Sequence, residues 1–372
     1  MKILILAQLV TYSGVGVYIK QLSRELCELG DEVHVLSAKF DFELDERVIC
    51  HSFLPLVNSN LIKNYRIFKS CVCENQIDVV HIQHRIVGIY PKLYNLIKLK
   101  VPCTYILHTG KLEQNNFLKR IFTYSGERVI AISSEVKECC IQELKIDERK
   151  ISLVYNGVDN LKLKPISNQV KMMKRKSLGI EGDKFVICVH GRIDAVKGHD
   201  LLIEAINLLE DTERNRIHII VSGNTKDNAY YEQIKQRIES LGIDNQFQFI
   251  GWCDPQDILS VSDLMVQPSR REGFLLSAIE AFFMRVPVIR TYTGGWYDMR
   301  ECCIGIDIDD CEQLKKEISS FLKSTHNDVK KDEYSKMIDK AEIFANSNCT
   351  IRVMTECTRK IFVEIVDENK KS

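Results

Sequence analysis

The stretch that decides the fold runs Asp263-Leu264-Met265-Val266-Gln267-Pro268-Ser269-Arg270-Arg271-Glu272-Gly273-Phe274-Leu275-Leu276-Ser277-Ala278-Ile279-Glu280-Ala281. A short apolar run ended by Pro reads as a buried strand, here Leu264 to Gln267, feeding the loop that carries Glu272. Glu272 then sits at a strand's carboxyl end, where open α/β sheets bind ligands. The helix that follows points its amino terminus at the same crevice, and its free N–H groups and dipole favour a phosphate there. Glu280 either faces that ligand or, as the last residue of a Ser277-Ala278-Ile279-Glu280 capping box, bonds the helix's own first backbone amide.

On either side of this stretch, β-rich runs alternate with helical patterns. In the first half the strands are Lys2 to Gln8, Glu32 to Ala38, Asp78 to Gln83, Pro102 to His108, Arg128 to Ser133 and Ile151 to Tyr155, with a helix over Val17 to Leu29. After Asn156-Gly157-Val158-Asp159 the texture turns Lys-rich through Lys176, which marks the connection between domains. The alternation restarts with Phe185 to His190, Ile217 to Ser222, Gln246 to Gly251, Leu264 to Gln267, Val286 to Ile289 and Ile304 to Ile308. Such alternation is the signature of parallel sheets with helices on both faces. The expected domains are 1–160, 161–345 and a helical segment 346–372, which packs on the second domain or crosses back to the first.

Composition supports two ordinary domains. The chain has 372 residues, 45% of them hydrophobic, and buries a core without disulfide or metal staples. Its fourteen cysteines include Cys71-Val72-Cys73, Cys139-Cys140 and Cys302-Cys303, too close for ordinary bridging, and no pair of Cys-x-x-Cys units. That pattern suits a reduced, cytoplasmic protein. The apolar N-terminus is interrupted at Tyr12-Ser13-Gly14-Val15-Gly16 and reads as a first strand, not a signal peptide. No run approaches the length of a bilayer span. Net charge is zero, yet residues 61–120 hold ten Lys or Arg (63, 66, 69, 85, 92, 98, 100, 111, 119, 120) against three acids (74, 78, 113). This basic face suits an anionic membrane surface at the inner face of the plasma membrane, a phosphate-bearing acceptor, or simple solvation. No nucleic-acid-binding module accompanies it.

Several motifs fall at strand ends. Gly14 and Gly16 lie between the first strand and a helix, where glycine lets backbone approach a phosphate. They do not complete G-x-G-x-x-G, because position 19 is Ile, and Ser37-Ala38-Lys39 stands where an NAD site needs an acid, which disfavours a dehydrogenase. Val189-His190-Gly191-Arg192-Ile193-Asp194-Ala195-Val196-Lys197-Gly198 places a fork-shaped cation and a point cation five positions apart after a strand. Both can reach one diphosphate, and two cations that neutralise a leaving diphosphate make a divalent metal dispensable. His108 closes Thr104-Tyr105-Ile106-Leu107-His108, as a structural hydrogen-bonder or a site residue. His81 and His84 offer no third metal ligand.

With these residues in view, the chain resembles the retaining glycosyltransferases of family 4, which have the GT-B architecture of two facing Rossmann-like doubly wound domains. The resemblance runs in order through Ser13-Gly14-Val15-Gly16, Asp78-Val79-Val80-His81, His108, Asn156-Gly157-Val158-Asp159, Gly191-Arg192, Lys197-Gly198, Phe249-Ile250-Gly251, Pro268-Ser269, Glu272 to Glu280, Pro287-Val288-Ile289 and Thr293-Gly294-Gly295. It implies a metal-independent, hexosyltransferase-like enzyme with no cofactor beyond its nucleotide-sugar donor, whose acceptor is a glycan, a lipid-linked sugar or a small molecule, in cell-surface polysaccharide synthesis. By the same resemblance Arg192 and Lys197 grip the donor diphosphate, Glu272 contacts the transferred sugar and Glu280 the ribose. His108 touches the sugar from the other domain, and Gly14 and Gly16 abut the phosphates. Backbone at Trp252 and Cys253 holds the base, and Gly273, Phe274, Leu275 and Leu276 surround the distal phosphate. The leaving diphosphate can take the acceptor's proton, so no protein base is required.

Two positions depart from the family pattern: Leu275 and Arg285 stand where family members usually or often carry Gly. A positive φ at Leu275 would strain it and weaken donor binding. These departures point to a second reading, a non-catalytic glycosyltransferase-like subunit. A third, a hydrolysing epimerase on the same architecture, wants an acid/base set that the sequence does not supply.

Overall fold

A computed structural model describes residues 1–97, 100–109, 124–180, 182–225, 227–324 and 328–371. The chain divides into two compact units, Met1–Gly157 with Thr350–Ser372, and Val158–Cys349.

In the first unit the chain runs β1 (Lys2–Leu6), α1 (Gly14–Glu28), β2 (Glu32–Ser37), β3 (Ile49–Ser52), α2 (Leu61–Glu74), β4 (Val79–Ile82), α3 (Ile89–Leu96), β5 (Cys103–Leu107), β6 (Arg128–Ala131), α4 (Ser134–Gln142) and β7 (Ile151–Leu153). All pairings are parallel, in the order β3-β2-β1-β4-β5-β6-β7. The second unit continues with α5 (Asn168–Ser177), β8 (Phe185–His190), α6 (His199–Asn207), α7 (Asp211–Arg214), β9 (Ile217–Ser222), α8 (Asn228–Ser240), β10 (Phe247–Gly251), α9 (Pro255–Val261), β11 (Leu264–Gln267), α10 (Leu276–Phe283), β12 (Val288–Thr291), α11 (Trp296–Met299), β13 (Ile304–Ile306), α12 (Cys311–Ser324) and α13 (Asp328–Asn348). Its parallel sheet is ordered β10-β9-β8-β11-β12-β13. The last helix, α14 (Ile351–Lys371), belongs to the first unit.

Why these runs become strands is plain from their chemistry. Strands covered by helices on both faces must be apolar along their whole length, as in Ile3 to Leu6, Val186 to Val189 and Ile219 to Val221, all buried. Helix starts carry side-chain caps: Ser13 accepts from Gly16 N, Ser133 from Val136 N, and Asp254 from Gln256 N with Pro255 in the first turn. The core of the second unit gathers Ile187, Val189, Ile219, Val221, Leu264, Val266 and Ile289 from the sheet against Leu202, Ile206, Ile234 and Leu314.

The C-terminal helix is held by charge as well as packing. Arg359 donates to both oxygens of the buried Asp31 carboxylate at 2.6 and 3.0 Å, and the terminal amine of Met1 reaches the same carboxylate at 2.8 Å. Phe362, also buried, meets the His81 ring with centroids 5.2 Å apart. All fourteen cysteines are unpaired thiols, and no helix among the described residues is long and apolar enough to cross a membrane.

In both sheets the strand order reverses once, between β1 and β4 and between β8 and β11. At such a switch point the crossovers leave in opposite directions, which opens a crevice at the strands' carboxyl ends. In the second unit the loops that flank it are Gly191 to Gly198 and Pro268 to Leu275.

Candidate active site

After β8 the backbone closes a short 3-10 turn over Ala195–Lys197, capped by Asp194, whose Oδ1 accepts from Lys197 N at 3.2 Å. The other Asp194 oxygen lies 3.2 Å from Arg192 Nη2. Arg192 is otherwise open to solvent, with 64% of its side chain exposed. Lys197 behaves differently. Its Nζ donates to Glu272 Oε1 at 2.7 Å, and the two side chains are only 16% and 11% exposed. The second unit therefore joins the point cation after β8 to the carboxylate after β11 in one largely buried ion pair. Gly191 stands beside it, with Gln267 and Lys197 as its nearest neighbours.

The loop from Glu272 to Phe274 rests on the turn at Thr293 to Gly295. Gly294 packs against the carbonyls of Glu272 and Gly273. Behind that turn lies Arg290, fully buried at the end of β12, whose Nη2 donates to Gly294 O at 2.7 Å and to Thr293 O and Oγ1 at 3.1 Å. Sequence reading passed over Arg290 because a charged residue in an apolar run looks like the run's end, and so placed that strand two residues early.

Helix α10 begins at Leu276 with Leu275 as its N-cap and no side-chain cap bond. Glu280 is thus the fifth helical residue, and Ser277 is not the N-cap, so the capping-box alternative does not hold. Burial, with the Asp254 charge as a lesser cause, pushes the Glu280 carboxyl up to about 8. A carboxylic acid in that state donates as well as accepts, which suits a hydroxyl partner. Leu275 has φ −81°, so the expected strain is absent, and its side chain is buried. The strain lies instead at Arg285, with φ 56°, where Val286 N bonds Ala281 O and closes the helix in a left-handed cap that glycine fits best. That conformation costs about 1 kcal/mol, and the Arg285 side chain is ion-paired to Asp339 (2.6 Å) and to Glu342 at the surface.

Trp252 is 65% exposed after β10, while Cys253 Sγ lies 3.1 Å from Ser222 Oγ. Phe274 is buried, and Leu276 opens α10.

In the first unit, Gly14 and Gly16 lie within the first turn of α1, not ahead of it. A side chain at Gly14 would meet nothing, whereas one at Gly16 would fall 1.9 Å from Thr11 O, so Gly16 is required by the approach of the preceding loop. His108 is half-buried, with its Nε2 3.1 Å from Gln83 Oε1. Burial, helped by His84, pulls His108 down to about 3, so it is neutral at physiological pH. Gln83 is 3% exposed, and its Nε2 has no partner among the described residues. His81 bridges Tyr18 and Thr104 at 3.2 and 2.7 Å, and His84 Nδ1 accepts from Gln8 N at 3.1 Å. Both are structural hydrogen-bonders. Among the described residues no three His, Cys, Asp or Glu side chains form a metal-binding group.

Two family models match the chain in succession, "Glycosyltransferase Family 4" over residues 12–160 and "Glycosyl transferases group 1" over residues 170–343. The chain belongs to the family 4 glycosyltransferases. Relatives of this glycosyltransferase include mannosylfructose-phosphate synthase of Agrobacterium fabrum, 27% identical over 76% of this chain and 72% of that protein. Another is the Escherichia coli UDP-Gal:alpha-D-GlcNAc-diphosphoundecaprenol alpha-1,3-galactosyltransferase, 27% identical over 71% of this chain and 68% of that one. Among solved structures, a glycosyltransferase from Rickettsia africae superimposes with a TM-score of 0.84 over 98% of both chains at 19% identity. Anabaena Alr3699/HepE in complex with UDP gives 0.81 over 98% of this chain and 100% of that one, at 18% identity. The fold is GT-B.

The raised Glu280 carboxyl makes a pH prediction. Between about 4.5, where the free carboxyl ionises, and about 8, the folded glycosyltransferase holds a proton that the unfolded chain has lost, so this group lowers stability as pH rises. Glu280→Gln cannot ionise. Its melting temperature relative to wild type should climb steadily from pH 5 to pH 8.5 in scanning calorimetry; a difference independent of pH would show that Glu280 ionises normally.

Proposed function

We propose that this chain is a retaining glycosyltransferase that moves a hexose-like residue from a nucleoside-diphosphate sugar to a glycan, lipid-linked or small-molecule acceptor, without a metal ion, in cell-surface polysaccharide synthesis. The observation that carries the proposal is the 2.7 Å Lys197–Glu272 pair at the β8/β11 switch point. A diphosphate needs a cation and a sugar needs a hydroxyl acceptor, and here the two side chains stand side by side.

In this reading Lys197 and the exposed Arg192 take the diphosphate as negative charge develops on it, which is the largest single contribution a site of this kind makes. Glu272 accepts from hydroxyls of the transferred sugar, and protonated Glu280 exchanges hydrogen bonds with the ribose. Amides of Phe274, Leu275 and Leu276 face the distal phosphate, Trp252 and Cys253 hold the base through their backbone, and Gly14, Gly16 and Gly273 leave room for the donor. Neutral His108 contacts the sugar. The departing diphosphate receives the acceptor's proton, so configuration is kept by front-face attack. The unstrained backbone at Leu275 removes one of the two features that favoured a non-catalytic subunit.

A panel of UDP-, GDP- and ADP-sugars with EDTA present tests this directly. One donor should be turned over with the anomeric configuration retained by NMR, and Lys197→Ala and Glu272→Ala should each lower kcat at least ~100-fold. No binding to any nucleotide would refute the reading.

We further propose that the enzyme works peripherally at the cytoplasmic membrane face. In support, Leu54, Val57, Leu61 and Ile62 are exposed beside the exposed Lys63, Arg66 and Lys69, and Leu93, Leu96 and Ile97 beside Lys92 and Lys100. Arg85 is half-buried, and the basic positions 98, 111, 119 and 120 lie outside the described residues. Each basic side chain near an anionic surface contributes about 1 kcal/mol. The protein should float with phosphatidylglycerol vesicles and not with phosphatidylcholine, and Ile62→Glu with Arg66→Glu should abolish flotation; equal recovery on both vesicles would contradict this.

A further inference from the structure

Arg270 stands in the opening of the β11–α10 loop and is tied almost wholly to the other loop of the switch point. Its backbone N–H donates to Val196 O at 2.7 Å. Its Nη1 donates to Ala195 O at 2.6 Å and to Asp200 Oδ1 at 2.9 Å, and its Nη2 to Asp200 Oδ2 at 2.6 Å. Nε donates to Asp309 Oδ1 at 2.7 Å. Asp200, in the first turn of α6, is steadied in turn by Tyr230, whose hydroxyl donates to Oδ1 at 2.8 Å. The acceptors Ala195 and Val196 belong to the 3-10 turn that carries Lys197.

A second contact closes the other side of Lys197. Gly198 has φ 70° and lies so close to the Pro268 carbonyl that any Cβ there would sit 2.1 Å from its oxygen. Lys197 is therefore bracketed, with Arg270 gripping the two residues before it and Pro268 abutting the residue after it. Its Nζ lies 2.7 Å from Glu272 Oε1.

We propose that Arg270 is a positioning residue for donor binding, a guanidinium clamp that fixes the Lys197 turn against the Glu272 loop. The inference rests on the donor-site reading of Lys197 and Glu272. Arg270 donates to neither of them, and its ion pairs are half-exposed, so they add little to stability. Their effect is geometric. A misplacement of about 1 Å in a catalytic group can cost ~100-fold in rate while leaving the fold unchanged.

The test compares the full chain with Arg270→Gln, Arg270→Lys and Asp200→Asn. Two readouts are taken beside the melting temperature: acylation of Lys197 by an amine-reactive ester, followed by peptide mass spectrometry against the half-exposed Lys315 as control, and kcat and KM for the nucleotide sugar. Arg270→Gln should raise Lys197 labelling several-fold with Lys315 unchanged, lower kcat ~10- to 100-fold, and move the melting temperature by only a few degrees. Arg270→Lys should recover little, since one ammonium cannot serve Ala195 and both Asp200 oxygens together. Asp200→Asn should give the same pattern in weaker form, and decides the matter if Arg270→Gln does not fold. Unchanged Lys197 labelling in the folded variants would overturn the clamp. Should wild type turn over no nucleotide sugar, the donor-site reading fails, and the labelling still decides whether Arg270 holds Lys197.

Discussion

A parallel sheet whose strand order reverses leaves a crevice at the reversal, because the crossovers on either side depart toward opposite faces. Everything proposed for this chain depends on that constraint. In the second unit the reversal falls between β8 and β11, so the loops after these two strands must face each other, and each delivers one charged residue. Had the order run on without reversal, β8 and β11 would not be neighbours, and Lys197 and Glu272 would emerge strands apart along the carboxyl end of the sheet.

The resulting ion pair has a chemical consequence. The carboxylate beside the lysine compensates its charge, and the pair is largely excluded from water. A donor diphosphate would bring more negative charge to Lys197 than one carboxylate supplies. In the proposed function Glu272 would then turn toward sugar hydroxyls, the only donors a neutral hexose offers. One pair thus serves as the resting state of both halves of the proposed donor contact. Arg192, more exposed and paired with Asp194, would in that reading follow the phosphate as a second cation, while Lys197 fixes the register.

Much of this was legible in the sequence because parallel strands buried on both faces are written as continuous apolar runs. Phe185–His190, Ile217–Ser222 and Leu264–Gln267 match the observed strands residue for residue. Strand β3 was not legible, because Ile49 to Ser52 lies at the sheet edge and three of its four residues are exposed. Strand β12 was displaced because it buries Arg290 and Thr291, polar residues whose partners come from turns that periodicity does not reveal. The helical segment expected over 346–372 takes in the end of one helix and the whole of the next, which break near Cys349 and belong to different units. In the candidate site, residue types and spacing singled out Lys197, Glu272 and Glu280, but not their state: that Lys197 and Glu272 are paired, that Glu280 is held protonated, and that strain sits at Arg285 and not Leu275 all follow from the folded surroundings. Arg270 stood in the deciding stretch and was passed over, since an arginine in a loop looks like a solvated charge until Asp200 is brought to it.

The account's central claim is that the Lys197–Glu272 pair is a donor site. Calorimetric titration of the full chain with UDP, GDP and ADP in EDTA, for wild type and Lys197→Ala, tests it most directly. The account predicts that wild type binds at least one of the three and that the variant binds it at least ~10-fold more weakly, a loss of about 1.4 kcal/mol or more. Equal affinity in the two proteins would contradict it.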